Sequence, residues 1–134
     1  MRRLLFLAVI CIAFTACDKD QAEGTQEESL SLGQCKSQQV SGDRISLCYE
    51  TLIEDSRCPK EVNCVWEGIA IGQFTFTVNN NRHTLTLSTT SAGRFINDTT
   101  IGRYKIHLQE LLPYPSRSPR EAVTPSASVS ITRQ

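Results

Sequence analysis

The chain has 134 residues, with 14 basic and 14 acidic side chains and six cysteines. This balance, without a stripe of clustered Lys and Arg, argues against a nucleic-acid-binding protein. About 100 residues remain after a leader segment, which is enough for one small domain at a size where disulfides add useful stability.

The first sixteen residues read as a secretion signal. Arg2 and Arg3 form a basic head, and residues 4–14 are an apolar run. This run is too short to span a bilayer, which takes about 20 residues, and it has the length of a signal-peptide core. We therefore expect residues 1–16 to be removed on export.

The signal ends in Phe14-Thr15-Ala16-Cys17, which resembles a bacterial lipobox with Cys17 as the lipidated first residue of the mature chain. Ordinary secretion with cleavage after Ala16 is the alternative. Acyl chains on Cys17, at roughly 0.8 kcal/mol for each buried methylene, would hold the protein on a membrane. The lipobox implies anchoring to the outer membrane, on either its periplasmic or its outer face.

Residues 17–33 are predicted to be the lipidated cysteine followed by a flexible tether. Between residues 18 and 33 there are five acids, one base and no aromatic residue. Such a composition cannot bury enough surface to offset the entropy of ordering. Its acidic start resembles the export signals that place some Bacteroidetes lipoproteins on the cell surface; a solvated spacer is the alternative.

Residues 34–134 are predicted to form a single all-β domain. Short runs of alternating apolar and polar residues are separated by Gly, Pro and Asn clusters, and no long helical period is present. Six or seven short antiparallel strands in about 100 residues favour a small, disulfide-stapled β-sandwich of immunoglobulin-like size. A small closed barrel is the alternative.

The first hairpin begins at Cys35. If Ser41 and Gly42 form a two-residue turn, Cys35 lies directly opposite Cys48, at a separation that suits a disulfide. A turn at Gly42 and Asp43 would place the two cysteines on a diagonal. In the second strand of this hairpin, Cys48 has outward parity. Four apolar residues are assigned to the inward face: Ile45, Leu47, Tyr49 and Ile53.

Residues 55–68 read Asp-Ser-Arg-Cys-Pro-Lys-Glu-Val-Asn-Cys-Val-Trp-Glu-Gly. The spacing of Cys58 and Cys64 matches neither the C-x2-C knuckle of zinc sites nor a C-x-x-C redox motif, so it predicts a structural disulfide. A ring of this size contributes about 2 kcal/mol. Four cysteines allow three pairings. Strand geometry favours Cys35 with Cys48 and Cys58 with Cys64.

The same fourteen residues are similar to a D-S-R-C-P-x-x-V-x-C-x-W-x-G run found ahead of a β-strand in small lipoproteins of the Bacteroidetes type. The resemblance covers residues 55–68 alone. It implies a fold and an envelope location, and it carries no known activity.

A second hairpin follows the cysteine-rich stretch. Ile69 and Ile71 lie on one parity, while later apolar residues lie on the other, so a β-bulge is predicted at Gly72. A two-residue turn of Asn80 and Asn81 would place all apolar residues of the hairpin on one face. The pairs expected from this turn are Phe76 with Leu85 and Phe74 with Leu87.

The later part of the chain supplies the remaining strands. Residues 104–112 are predicted to be a strand with Tyr104, Ile106 and Leu108 facing inward, and residues 113–125 read as a long crossing loop rich in Pro, Ser and Arg. Val129 and Ile131 mark the last strand.

Residues 89–102 read as a polar connection. Within it, Asp98-Thr99-Thr100 resembles the O-glycosylation acceptor signal of Bacteroidetes export pathways, with Thr99 as the acceptor; a simple turn is the alternative. His83 and His107 have no suitably spaced partners, so no metal site is predicted.

No motif of a known catalytic class is present: the sequence has no G-x-S-x-G elbow and no phosphate-binding glycine loop, and its paired cysteines would leave no nucleophile. We therefore expect a protein that is not an enzyme and binds no cofactor. The prediction is a monomeric, lipid-anchored binding module whose loops 55–68 and 113–125 meet a protein or glycan partner. A secreted inhibitor of a protease or lysozyme and a structural accessory of an outer-membrane assembly are the alternatives.

Arg57 and Trp66 are the predicted binding residues, because Arg and Trp are enriched at interface hot spots. Each has a structural alternative. Trp66 would be a core residue between the sheets, and Arg57 would form a salt bridge with Asp55.

Overall fold

The structure, a computed structural model, describes residues 24–118 and 122–134. The predicted signal peptide, the lipidation residue Cys17 and the acidic residues up to 23 lie outside the described residues. None of the described segments forms a helix with the length and apolarity that a membrane crossing requires.

The described residues form eight β-strands. They are β1 (Gln26–Ser31), β2 (Cys35–Val40), β3 (Asp43–Asp55), β4 (Ala70–Val78), β5 (Asn81–Ser88), β6 (Asp98–Ile101), β7 (Tyr104–Leu112) and β8 (Ser126–Arg133). Six or seven strands were expected, and the number was too low because β1 lies in the predicted tether and β6 in the predicted polar connection.

The strands form two antiparallel sheets of four strands each, in the orders β1-β8-β7-β6 and β2-β3-β4-β5. The predicted all-β sandwich with two disulfides is thus confirmed. The strands follow one another around the sandwich in chain order, with β8 beside β1. This sequential order differs from the Greek-key order of immunoglobulin domains, so the likeness to them is one of size.

β1 corrects the prediction that residues 17–33 form a flexible tether. Leu30 is fully buried in the core and pairs with Ala127 of β8. The ordering cost of this acidic segment is offset by a ladder of main-chain hydrogen bonds, while Glu27 stays exposed and Glu28, on the parity of Leu30, forms an ion pair with Lys36 at 3.1 Å. The domain therefore includes β1, ahead of the predicted boundary at residue 34.

The core lies between the sheets and receives aromatic side chains from both. Tyr49 stacks on Phe74 with ring centroids 5.0 Å apart, and Phe76 meets Tyr104 of the facing sheet edge-on at 5.9 Å. The other fully buried large side chains are Leu30, Ile45, Leu47, Leu87, Ile106, Leu108, Leu111 and Val129. The inward faces of β7 and β8 agree with the predicted alternation.

The first hairpin has the predicted register. Ser41 and Gly42 have φ angles of 48° and 89°, as a two-residue hairpin turn requires, and Cys35 lies directly opposite Cys48. The two cysteines form a disulfide with their Cα atoms 4.0 Å apart. Cys58 and Cys64 form the second disulfide.

The predicted β-bulge at Gly72 was misplaced. The register shifts lie in the partner strand β3, between Tyr49 and Thr51 and between Leu52 and Glu54. Each shift adds a residue to β3 and reverses its parity. Ile53, assigned inward from strict alternation, is consequently 52% exposed.

Gly72 is explained by packing against aromatic rings. A Cβ atom at this position would lie 2.9 Å from the ring of Phe74 and 3.3 Å from that of Tyr49. The lack of a side chain allows these rings to stack over the strand, which accounts for the glycine in the middle of β4.

The second hairpin turns one residue earlier than predicted. Asn79 and Asn80 have positive φ angles, so Phe74 pairs with Leu85 and Phe76 with His83. Asn79 donates to the carboxylate of Asp43 at 2.7 Å, which ties this turn to β3. The apolar parity is unchanged by the shift, and Leu85 and Leu87 still face the core.

Candidate functional site

Three long connections meet at one end of the sandwich, which we call the loop end. They are residues 56–69 between β3 and β4, residues 89–97 between β5 and β6, and the described residues 113–118 and 122–125 between β7 and β8. β1 starts at the opposite end, where Gln26 pairs with Ile131 and Tyr104 pairs with Arg133. The chain therefore enters the domain at the end farthest from these three connections.

Arg57 joins the two sheets at the loop end. Its Nε and Nη2 atoms donate to the two carboxylate oxygens of Asp55 at 2.8 and 2.7 Å. Nη1 donates to the main-chain oxygen of Leu111 at 2.6 Å, and Nη2 to that of Pro113 at 3.1 Å. Asp55 belongs to β3 and Leu111 to β7 of the other sheet. The guanidinium thus bridges the sheets with charge-assisted hydrogen bonds.

This position corrects the prediction of Arg57 as a binding residue. Its side chain is only 6% exposed, so it offers almost no surface to a partner. The structural alternative, a salt bridge with Asp55, is confirmed.

The cysteine-bearing connection, residues 56–69, is named the disulfide loop. Its first and last residues extend the β3–β4 ladder, because Ser56 donates its N–H to the oxygen of Ile69 at 2.8 Å and Cys58 donates to that of Glu67 at 2.9 Å. Gly68 closes this ladder with φ at +68°, where a Cβ atom would collide with the main-chain oxygen of Ser56. The loop therefore depends on a glycine at this position.

The segment after β7 braces the disulfide loop from the side. The guanidinium carbon of Arg57 lies 4.6 Å from the centroid of the Tyr114 ring, and the Lys60 ammonium lies 5.3 Å from it. The carboxylate of Glu61 accepts hydrogen bonds from the Ser116 hydroxyl and from the Arg117 N–H, the latter at 3.1 Å. The Cys58–Cys64 disulfide, the cation–π contacts and these hydrogen bonds together brace the loop.

The braced loop exposes two large apolar side chains. Val65 is 90% exposed and Trp66 is 82% exposed, and we call them the Val65–Trp66 patch. The alternative that Trp66 is a core residue is wrong, because Trp66 lies in the disulfide loop outside the strands and is 82% exposed. Sequence patterning did not separate these cases, since one Trp in a loop has no periodicity.

Two clefts flank the disulfide loop. The first has a volume of about 220 Å³ and lies between this loop, the start of the β5–β6 connection, and β7 with the segment after it. The second, of about 370 Å³, lies along the cysteine ring. Glu67 and Tyr114 line both clefts. Glu110 lines the first cleft only. Sequence reasoning missed the first cleft, because its walls come from segments far apart in the chain.

The other predicted site residues lie elsewhere. Thr99 is half-buried in the edge strand β6, opposite Ile106, so the alternative of a simple turn is wrong. His83 lines a cleft at the opposite end, and His107 lies in β7 of the facing sheet. Residues 24–118 and 122–134 contain no group of three or more His, Cys, Asp or Glu side chains placed to hold a metal ion.

A polar cluster closes the end opposite the loops. The Tyr104 hydroxyl donates to Asp43 at 2.7 Å, and Asn79 donates to the other carboxylate oxygen. These hydrogen bonds, with Tyr104 as the larger cause, lower the pKa of Asp43 below its ordinary value. Burial, followed by the bond to Asp43, raises the pKa of Tyr104 above its ordinary value. This cluster joins the two sheets at that end, as Arg57 does at the loop end.

The loop end therefore offers a rigid apolar contact surface beside a polar cleft. Arg57, the basic residue that lines the first cleft, is already paired with Asp55. No protein-family model, curated protein or solved structure matches this chain.

Proposed function

We propose that this chain is a lipid-anchored binding module of the cell envelope, and that the Val65–Trp66 patch contacts a partner protein. The observation that supports this proposal is the exposure of a Trp and a Val side by side on a loop braced by a disulfide and by Tyr114. Trp is the residue most enriched at interface hot spots, and neighbouring exposed apolar side chains mark contact surfaces.

The rigidity of the loop favours affinity. Binding costs free energy when loops and side chains must be ordered on contact. In the disulfide loop the cysteine ring, the ladder from Ser56 to Ile69 and the bonds of Glu61 to residues 116 and 117 have already fixed the backbone. Most of the contact energy of Trp66 would then contribute to binding.

The positions of the N-terminal end and the loop end of the domain favour a partner that lies away from the anchoring membrane. With Cys17 as the anchor, the segment leading to Gln26 spans at most about 30 Å. A nine-residue strand such as β4 is itself about 30 Å long. The anchored domain would then rest on the membrane with its N-terminal end and carry the Val65–Trp66 patch on the far side.

The braced loop also suits a secreted inhibitor, because hydrolase inhibitors often present a rigid exposed loop. The two functions differ in the identity of the partner and in its response. An inhibitor would bind a protease or lysozyme and block it at one-to-one stoichiometry, whereas a binding module would leave hydrolase activity unchanged.

Photo-crosslinking in intact cells tests the proposal. A photoreactive amino acid at position 65 is compared with the same group at Thr84, an exposed residue on β5 of the same domain. We expect a specific adduct from position 65, none from position 84, and loss of the adduct when Trp66→Ala is added. A hot-spot Trp is worth about 2 kcal/mol or more, so the adduct should fall more than tenfold. Equal adducts from both positions would contradict the proposal.

A further inference from the structure

The first cleft at the loop end adjoins the Val65–Trp66 patch along the chain, because the next two residues, Glu67 and Gly68, form part of its wall. At about 220 Å³ it is smaller than the pockets of roughly 300 to 1,000 Å³ that hold drug-sized ligands. A single side chain of a partner is the size of group that such a cleft accepts. A partner seated on the patch is in position to insert one.

The charges of the cleft favour a basic side chain. Arg57 also lines it, but two bonds to Asp55 neutralise this guanidinium. Glu67 comes from the disulfide loop and Glu110 from β7. Two carboxylates from different elements therefore line one cleft, and among the described residues neither has a hydrogen-bond or ion-pair partner.

Tyr114 forms an aromatic wall of the cleft. Its ring already packs against the Arg57 guanidinium carbon at 4.6 Å and the Lys60 ammonium at 5.3 Å. An arriving Lys or Arg would therefore find the two carboxylates for its N–H groups and the aromatic wall for its apolar stem.

We propose that the partner of the loop end is a protein segment that places a Lys or Arg side chain in the first cleft and an adjacent apolar side chain on the Val65–Trp66 patch. This inference rests on the proposed function and specifies its partner. The apolar contact with the Val65–Trp66 patch supplies most of the affinity. The carboxylates of Glu67 and Glu110 select for a basic residue next to the apolar one in the partner.

A peptide library tests this proposal. Random peptides displayed on bacteria are selected against the full chain purified from its envelope in detergent. We expect the enriched peptides to carry Lys or Arg within a few positions of an aromatic or large aliphatic residue. Binding of one enriched peptide is then measured against the double variant Glu67→Gln and Glu110→Gln, with Glu50→Gln as the matched control on the exposed part of β3.

The two Gln substitutions should weaken binding of the peptide about tenfold, because two charge-assisted contacts are lost. They should also remove the salt dependence of binding. Glu50→Gln should bind like the wild type. Enriched peptides without basic residues, or equal binding by the double variant, would overturn the inference. Retention of binding by Trp66→Ala would instead count against the proposed function. Neutral glycans that occupy the cleft and compete with the peptide would also overturn the inference.

Discussion

Arg57 determines how the two sheets are joined at the loop end. It is a buried charge whose side chain forms four hydrogen bonds, two to the carboxylate of Asp55 in β3 and two to the carbonyl oxygens of Leu111 in β7 and of Pro113 just after β7. Paired charges of this kind contribute little net stability compared with apolar residues, but removing one partner leaves the other desolvated. We therefore expect that removal of Arg57 strongly lowers the free energy of unfolding of the domain.

Replacing Arg57 with Met should destabilise the domain by about 3 kcal/mol, because Asp55 and two carbonyl oxygens lose their donors. The free energy of unfolding from urea titration measures this loss. Arg94→Met is the matched control, since Arg94 is exposed in the β5–β6 connection. It should change the unfolding free energy by less than about 0.5 kcal/mol. Equal stability of the two variants would show that Arg57 does not join the sheets.

The elements show where sequence reasoning succeeds. Strict alternation placed the inward faces of β7 and β8, and the Ser41–Gly42 turn determined the register that brings Cys35 opposite Cys48. Both features are local, since they depend on residues close together in the chain. The inward faces of β7 and β8 and the Cys35–Cys48 disulfide could therefore be predicted from the sequence.

Features that depend on contacts between distant parts of the chain were not predictable in this way. The bulges of β3 reverse its parity, and the bond from Asn79 to Asp43 selects the earlier of two Asn turns. Strand β1 depends on its pairing with β8, about 100 residues later in the chain. The first cleft combines segments from three connections, so no single stretch of sequence indicates it.

The cluster at Asp43 gives an element-scale prediction for pH. Its folded-state pKa lies below the ordinary value of 3.8, so its contribution to stability is complete above that value and is lost as the pH falls through the folded pKa. Tyr104→Phe removes the hydrogen bond that is the largest cause of the shift. Between pH 6 and acid pH, the free energy of unfolding measured by urea titration should fall less for this variant than for the wild type. An unchanged acid dependence would exclude Asp43 as its source.

At the scale of the whole molecule, the two ends of the sandwich carry different structural features. The polar cluster of Asp43 and Tyr104 lies at the end where β1 begins, and the disulfide loop lies at the other. At the loop end the two sheets are joined by Arg57, which belongs to the disulfide loop itself, and at the other end by Tyr104 and Asp43. Val65 and Trp66 of the disulfide loop take no part in this join and are the side chains proposed to contact a partner.

The proposed binding function requires that Trp66 face the solvent on a folded domain. Since Trp66 is the only tryptophan, acrylamide quenching of the protein fluorescence reports on it alone. The account predicts an emission maximum close to that of free tryptophan and strong quenching that changes little when the protein is unfolded in urea. A blue-shifted emission with weak quenching in the native state, followed by a large increase on unfolding, would contradict it.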